Sequence, residues 1–153
     1  MSGLTLVIAN KNYSSWSLRA WLFLRHTGAA FREERVLLDT PDTAAQIARH
    51  SPSGRVPVLR DGDLTVWDSL AICEYASELA GDAGWPKGAA ERAIARSISA
   101  EMHSGFQALR STWSMQATSR GVDVPPTPQV TADVERIDAI WSDCRARHGK
   151  HGP

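Results

Sequence analysis

The spacing of hydrophobic and polar positions changes several times along the chain, and each change marks an element. Leu4 to Ala9 is a continuous apolar, β-branched run of strand length, the pattern of a strand buried on both faces. A polar turn follows from Asn10 to Ser15. From Trp16 to His26 the residues Leu18, Trp21, Leu22 and Leu24 recur at helical spacing, and Gly28 stands where a helix-ending glycine belongs. Phe31 to Leu38 mixes charged and apolar residues and predicts a second strand with one wet face. Thr43 to His50 is a short helical stretch, broken by Ser51-Pro52-Ser53-Gly54. Val56 to Arg60 and Leu64 to Trp67, with Asp61-Gly62-Asp63 between them, predict a hairpin. Asp68-Ser69 then opens a helix carrying Leu70, Ile72, Cys73, Tyr75, Ala76 and Leu79 and closing at Gly81. The order βαβαββα, with the first strands parallel and the hairpin antiparallel, predicts a mixed sheet covered by helices on both faces.

The pattern after Gly81 is of a different kind. Residues 82–88, with Trp85-Pro86 inside them, form an expected linker between a domain at 1–81 and an all-helical domain at 89–153. Ala89 to about Met115 carries Ile94, Ile98, Met102, Phe106, Leu109 and Trp113, a stripe that predicts one long helix. Val122 to Pro128 is a loop, and Val130 to Arg147 is a second helix with Val134, Ile137, Ile140, Trp141 and Cys144 on one side. Gly149 to Pro153 is expected to be a frayed end.

Composition narrows the function classes. The chain has 153 residues, 42% of them hydrophobic, enough to bury a sizeable core. Lys plus Arg and Asp plus Glu number 17 each, so no basic surplus points to nucleic acid or to an anionic membrane. No run of about 20 apolar residues is present to span a bilayer. The start, Met1 to Ala9, lacks the basic region of a signal peptide. Two cysteines, Cys73 and Cys144, are far apart and read as buried thiols, which predicts a reducing, cytoplasmic setting. His26, His50, His103, His148 and His151 show no ligand spacing, so no metal is expected. Trp occurs 6 times, which predicts aromatic-rich helix packing.

Three features carry candidate chemistry. The first is Ser14-Ser15-Trp16-Ser17 at a strand-to-helix turn, where a helix N-terminus stabilises an anion. A serine hydroxyl pointed at a sulfur there would favour a thiolate; its plainer role is helix capping. The second is Val56-Pro57 at a strand start, where a cis proline would turn the Val56 backbone toward an extended peptide; an ordinary trans proline is the plainer alternative. The third is Asp68-Ser69, either a plain helix cap or a grip on an α-amino acid head, with Ser69 on the carboxylate and Asp68 on the amine.

In order and spacing these stretches resemble a glutathione S-transferase. The matching segments are NYSSWSLRAWLFLRHTG, SPSGRVPVLRDGDLTVWDSLAICEYASEL and WPKGAAERAIARSISAEMHSGFQALR, and the resemblance covers about residues 4 to 145. Ser-Ser-x-Ser-x-Arg at 14 to 19 is similar to the serine-type zeta pattern. The resemblance implies a thioredoxin-like N-terminal domain followed by an all-α domain. It puts the thiol-activating serine on Ser14, with Ser15 as the near alternative, the cis-proline on Pro57 and the backbone clamp on Val56. It puts the γ-glutamyl grip on Asp68 and Ser69, with Arg55 near the glycine carboxylate. His103 and Trp113 would line a second-substrate pocket.

The implied protein is a cytoplasmic homodimeric transferase in detoxification, using glutathione as co-substrate and no metal. It would attack a small hydrophobic electrophile or isomerise a cis-unsaturated one. The alternative is a non-catalytic glutathione-binding or interaction protein, while a dithiol oxidoreductase is disfavoured because the helix-opening position carries no cysteine. Trp16 stands where the zeta pattern has cysteine, which weighs against that class's isomerase chemistry. Family chains usually continue past the equivalent of Pro153 into a helix opened by a Ser/Thr-x-x-Asp box, and no such box followed by an apolar run occurs here after Val130. On that comparison the chain is expected to be truncated.

Overall fold

The first strand, β1 (Leu4–Ile8), sits between two neighbours and is buried on both faces, as its unbroken apolar run requires. The structure, a computed structural model, describes residues 3–149, so the expected frayed end beyond Gly149 lies outside the described residues. By internal contact the chain divides into two units, Met1–Ala95 and Arg96–Pro153.

In the first unit the order is β1, α1 (Ser15–His26), β2 (Phe31–Arg35), α2 (Thr43–Ala48), β3 (Val58–Asp61), β4 (Leu64–Trp67) and α3 (Ser69–Leu79). The sheet order is β2-β1-β3-β4, with β2 parallel to β1 and the β3–β4 hairpin antiparallel. This is the expected mixed sheet. Alternation along β1 divides the core. Leu6 and Ile8 pack with Ala20 and Leu24 of α1, Leu59, and Ile72 and Ala76 of α3. Val7 points to the other face and packs with Val36, Ile47 and Val58. Each of the larger side chains among these contributes about 1.5–3 kcal/mol on burial. Strand β2 is shorter than expected because its partner β1 ends at Ile8, which pairs with Arg35. Beyond it only single bonds continue, Val36 N–H to the Ile8 carbonyl and Leu38 N–H to Asn10 Oδ1.

The second unit corrects the expectation of one helix from Ala89 to Met115. Helix α4 (Ala89–Ser104) ends at Gly105, and α5 (Gln107–Thr112) starts after Phe106, whose φ of +62° is left-handed. A Cβ at Gly105 would meet the Glu101 carbonyl oxygen at 2.9 Å, so the break needs glycine there. Arg110 satisfies the carbonyls left over at the break, donating to Gly105 O at 3.0 Å and to Met102 O. Helix α6 (Pro128–His148) starts earlier than expected: Thr127 Oγ1 accepts the Val130 N–H at 3.2 Å, and Pro128 occupies a first-turn position that needs no donor. Asp133 accepts the Leu109 N–H, and Arg136 grips Glu101 through two bonds of 2.6 and 2.8 Å. Of the expected α6 stripe, Ile140 is buried while Val134 and Trp141 stay exposed. None of the six tryptophans is fully buried, but Trp21 packs against the first core cluster, the helix packing that their number predicts. Cys73 and Cys144 are free thiols and only half-buried.

Candidate active site

Sheet topology decides which sequence features meet. β3 runs antiparallel to β1, and Val7 pairs with Val58, so the end of β1 and the start of β3 lie at one end of the sheet. Val58 also pairs with Trp67, so β4 finishes at that same end and hands the chain to Asp68 and Ser69. The turn after β1 folds back through a bond from Ser14 N–H to the Asn10 carbonyl and starts α1 there. Ser14, Ser15, Val56, Pro57, Asp68 and Ser69, spread over 56 positions of chain, therefore gather at one sheet end.

The first station is the β1–α1 turn. Ser14 occupies the N-cap position of α1 but makes no side-chain cap bond, so its hydroxyl is not used in the plainer role. Instead Ser14 O–H donates to Ser17 Oγ at 2.9 Å, and Ser17 Oγ also accepts the Ala9 N–H at 3.0 Å. Ser15, the first residue of the helix, is half-buried. Beside these serines a small apolar pocket of about 70 Å³ is lined by Ile8, Ala9, Leu18 and Trp21, with Lys11 at its rim. Glu33 ties that rim together, accepting from Trp21 Nε1 and pairing with Lys11 Nζ, both at 2.6 Å. Those two partners hold the Glu33 carboxyl below its ordinary range. Tyr13, next to the serines, donates its hydroxyl to Asp39 at 3.3 Å. Partial desolvation and the Asp39 carboxylate push that phenol above its ordinary value, which makes it a poor proton donor to a sulfur.

The second station is the start of β3. The Val56–Pro57 peptide bond is cis. Pro57 is buried and Val56 precedes the ladder, whose pairing begins at Val58. The loop before it is held by Ser51, a buried hydroxyl that accepts the Arg55 N–H at 3.2 Å and bonds Ser53 at 3.1 Å, leaving the Arg55 side chain exposed.

The third is the β4–α3 turn. Asp68 has a φ of +82°, and its Oδ1 accepts the N–H groups of Leu70 at 2.8 Å and Ala71 at 3.3 Å. The plainer role, helix cap, is thus real for Asp68. Ser69 is only 3% exposed, and its Oγ has no hydrogen-bond partner. A buried hydroxyl without a partner calls for an explanation, and a ligand group is one. Cys73, one turn further along α3, is pushed up to about 11 by burial, against a weaker opposing pull from Arg19, and so stays a thiol at neutral pH.

The other two sequence candidates belong to the second unit. His103 is half-buried in the last turn of α4, and Trp113 follows α5 with its indole N–H on the Val124 carbonyl at 2.9 Å. Ser51 and the phenol of Tyr13 were not singled out by sequence reasoning. The spacing of Ser17 three residues after Ser14 was the available signal for their hydroxyl pair.

A βαβαββα domain with a serine-rich first turn, a cis proline opening β3 and an Asp-Ser helix start, followed by helices, defines a thioredoxin-like domain joined to a helical one. Residues 13–79 match the family described as glutathione S-transferase, N-terminal domain. Over 75 residues the chain is 40% identical to a dichloromethane dehalogenase from Methylorubrum extorquens, a stretch covering 46% of this chain and 26% of that protein. It is 41% identical over 69 residues to a probable glutathione S-transferase of Oryza sativa subsp. japonica, covering 40% and 29% of the two chains. In structure it superposes on a glutathione transferase homologue from Burkholderia, solved with bound glutathione. That match has a TM-score of 0.69 and 23% identity, over 92% of this chain and 67% of the other. Residues 13–79 thus resemble the N-terminal domain of that family, and the superposition shows the same fold.

Proposed function

We propose that this protein is a serine-type, zeta-like glutathione transferase, in which the N-terminal unit binds glutathione and converts its thiol into a thiolate nucleophile. The observation that carries this reading is that β1 ends, β3 begins and β4 ends at one end of the sheet, so that two helix N-termini and the cis-proline strand start share a single locus. In the proposed roles, Ser69 takes the γ-glutamyl carboxylate through its hydroxyl and backbone N–H. Asp68 faces the ammonium; a carboxylate has about four acceptor sites, so two cap bonds do not exhaust it. The Val56 backbone, ahead of the β3 ladder and next to Pro57, pairs with the peptide as an added strand would, and Arg55 takes the glycine carboxylate.

Ser14 donates to the sulfur, with Ser15 as the alternative. A free thiol titrates near ~8.5, and a downward shift of about two units, worth ~2.7 kcal/mol, makes most of it thiolate at neutral pH. The thiolate then forms a C–S bond to a small electrophile. With a haloalkane, the class in the dehalogenase's name, the carbon–halogen bond breaks and halide leaves with its electron pair. Addition to a cis-unsaturated bond is the isomerase variant of the same chemistry. By family resemblance we assign the protein to a homodimer in the cytoplasm acting in detoxification.

The deciding experiment is calorimetric titration of the purified chain with glutathione, followed by turnover with haloalkane and aryl halide electrophiles. Binding that weakens on Asp68→Ala, with turnover lost on Ser14→Ala at nearly unchanged affinity, is the expected result. Wild-type kcat in Ser14→Ala moves the role to Ser15. Binding with no turnover on any electrophile supports the non-catalytic alternative, and a folded chain that does not bind glutathione overturns the reading.

A further inference from the structure

We propose that Ser17 is a positioning residue for Ser14: its buried hydroxyl turns its own O–H onto Ser14 Oγ when the Ser14 O–H swings out to a glutathione sulfur. The proposal rests on the glutathione reading above and names a part of that site which the reading does not use.

Hydroxyl bookkeeping leads to it. Ser17 Oγ accepts from Ala9 N–H at 3.0 Å and from Ser14 O–H at 2.9 Å. A serine hydroxyl has one donor and two acceptor lone pairs, so both acceptor positions of Ser17 are filled and the one proton of Ser14 is committed. Ser14 cannot aim that proton at Ser17 and at a thiolate together. Among the described hydrogen bonds none uses the Ser17 proton. Reversing the pair gives that proton an acceptor, Ser14 Oγ, and frees the Ser14 proton for the sulfur.

The surroundings permit the reversal. Ser17 is 3% exposed, so bulk water does not stand in for either partner, and Ala9, fully buried at the end of β1, holds the Ser17 oxygen in place. Ser14 makes no cap bond to α1, so turning its hydroxyl takes nothing from the helix. No proton leaves either oxygen. Two hydroxyl rotors turn, the Ser14-to-Ser17 bond breaks, and two bonds form, Ser17 O–H to Ser14 Oγ and Ser14 O–H to sulfur. The chain Ala9 N–H, Ser17, Ser14, thiolate then runs in one direction, and each bond polarises the next. A stronger donor to the sulfur favours its ionised form. If Ser17 only shaped the turn, removing it would change stability and affinity and leave thiol ionisation alone.

The test is a pH titration of the ultraviolet thiolate absorbance of bound glutathione, with affinity measured beside it, in wild type, Ser14→Ala, Ser17→Ala and Ser17→Thr. Ser17→Ala is expected to raise the bound thiol's pKa by about half to one unit, roughly 1.5- to threefold less thiolate at neutral pH, with affinity nearly unchanged. Ser17→Thr keeps the hydroxyl and borders the small pocket that Ser17 lines, so it should titrate like wild type. A Ser17→Ala curve within ~0.2 units of wild type, with Ser14→Ala shifted, overturns the relay and leaves the glutathione reading standing. So does Ser17→Thr titrating with Ser17→Ala. A wild-type complex whose thiol titrates like free glutathione overturns the reading and the relay together. Should Ser17→Ala not fold, Ser17→Cys decides by the same curve, because its S–H is a weak donor: a raised pKa supports the relay and an unshifted one overturns it.

Discussion

Helices α1 and α3 both start at the same end of the sheet and both begin with a small polar residue in the cap position, yet the two starts are built differently. Asp68 spends its carboxylate on two N–H groups of α3 and adopts a φ of +82° to do so. Ser14 gives α1 no side-chain cap at all and turns instead to a neighbouring hydroxyl. One start is fixed and strained; the other keeps its side chain on a soft rotor. A left-handed φ at a non-glycine residue costs energy and persists only where the surroundings hold it, so the α3 start is suited to fixing a charged head group. A hydroxyl not used in capping is suited to chemistry, since it can turn to meet a charge that develops on a ligand.

Substitutions at the two starts should therefore separate activity from stability. The largest effect is expected from Ser14→Ala: kcat/KM falls about 25-fold at neutral pH if two units of thiol pKa are lost. Urea unfolding should show a loss of no more than about 1 kcal/mol, the scale of one hydrogen bond. A large stability loss with unchanged turnover would reverse the roles assigned to the two helix starts. Next is Asp68→Ala, expected to destabilise by about 1–2 kcal/mol through the lost cap and the left-handed backbone, and to weaken glutathione binding in calorimetry. Asp68→Gly should cost less stability, because glycine adopts that φ freely, while weakening binding equally.

Thr127 in the second unit is the control for a cap with no ligand role. Thr127→Ala should cost roughly 0.5–1 kcal/mol of stability and leave glutathione affinity as it was. The smallest effect concerns Tyr13 beside the α1 start, whose phenol is raised in the fold. A raised acid favours its neutral form in the folded state, so its contribution is complete below the unfolded value near 10 and disappears as pH rises through the folded value. Tyr13→Phe should lose that small contribution at neutral pH, converge with wild type at strongly alkaline pH, and so flatten the alkaline fall in thermal stability.

Much of the first unit was legible because its signals are local. A strand-length apolar run, an Asp-Gly-Asp between two short runs and an Asp-Ser before a helical pattern each report on their own few residues, and β1, the hairpin and α3 followed. The second unit was less legible. The stripe from Ile94 to Trp113 continues across Gly105 without a change of period, and it is the left-handed Phe106 and the Arg110 guanidinium on the freed carbonyls that divide it. Glycine inside a helical pattern is tolerated often enough that the break could not be read from the pattern alone. The tryptophans follow no single pattern: Trp21 of α1 packs against the core, while Trp67, Trp113 and Trp141 are exposed.

Taken by itself, the sequence determined the strand and helix identities of the first unit and the residue types at its three stations. Those depend on backbone propensity, hydrophobic period and capping chemistry, which act over a few residues. Only the tertiary structure decided what those residues do. It brought the stations to one end of the sheet through the antiparallel pairing of β3 with β1 and β4, put Asp68 to work as a cap, left Ser69 Oγ without a partner, and joined Ser14 to Ser17 and the end of β1. A hydroxyl's partner depends on distances of about 3 Å between groups from different elements, and no local pattern records such a distance.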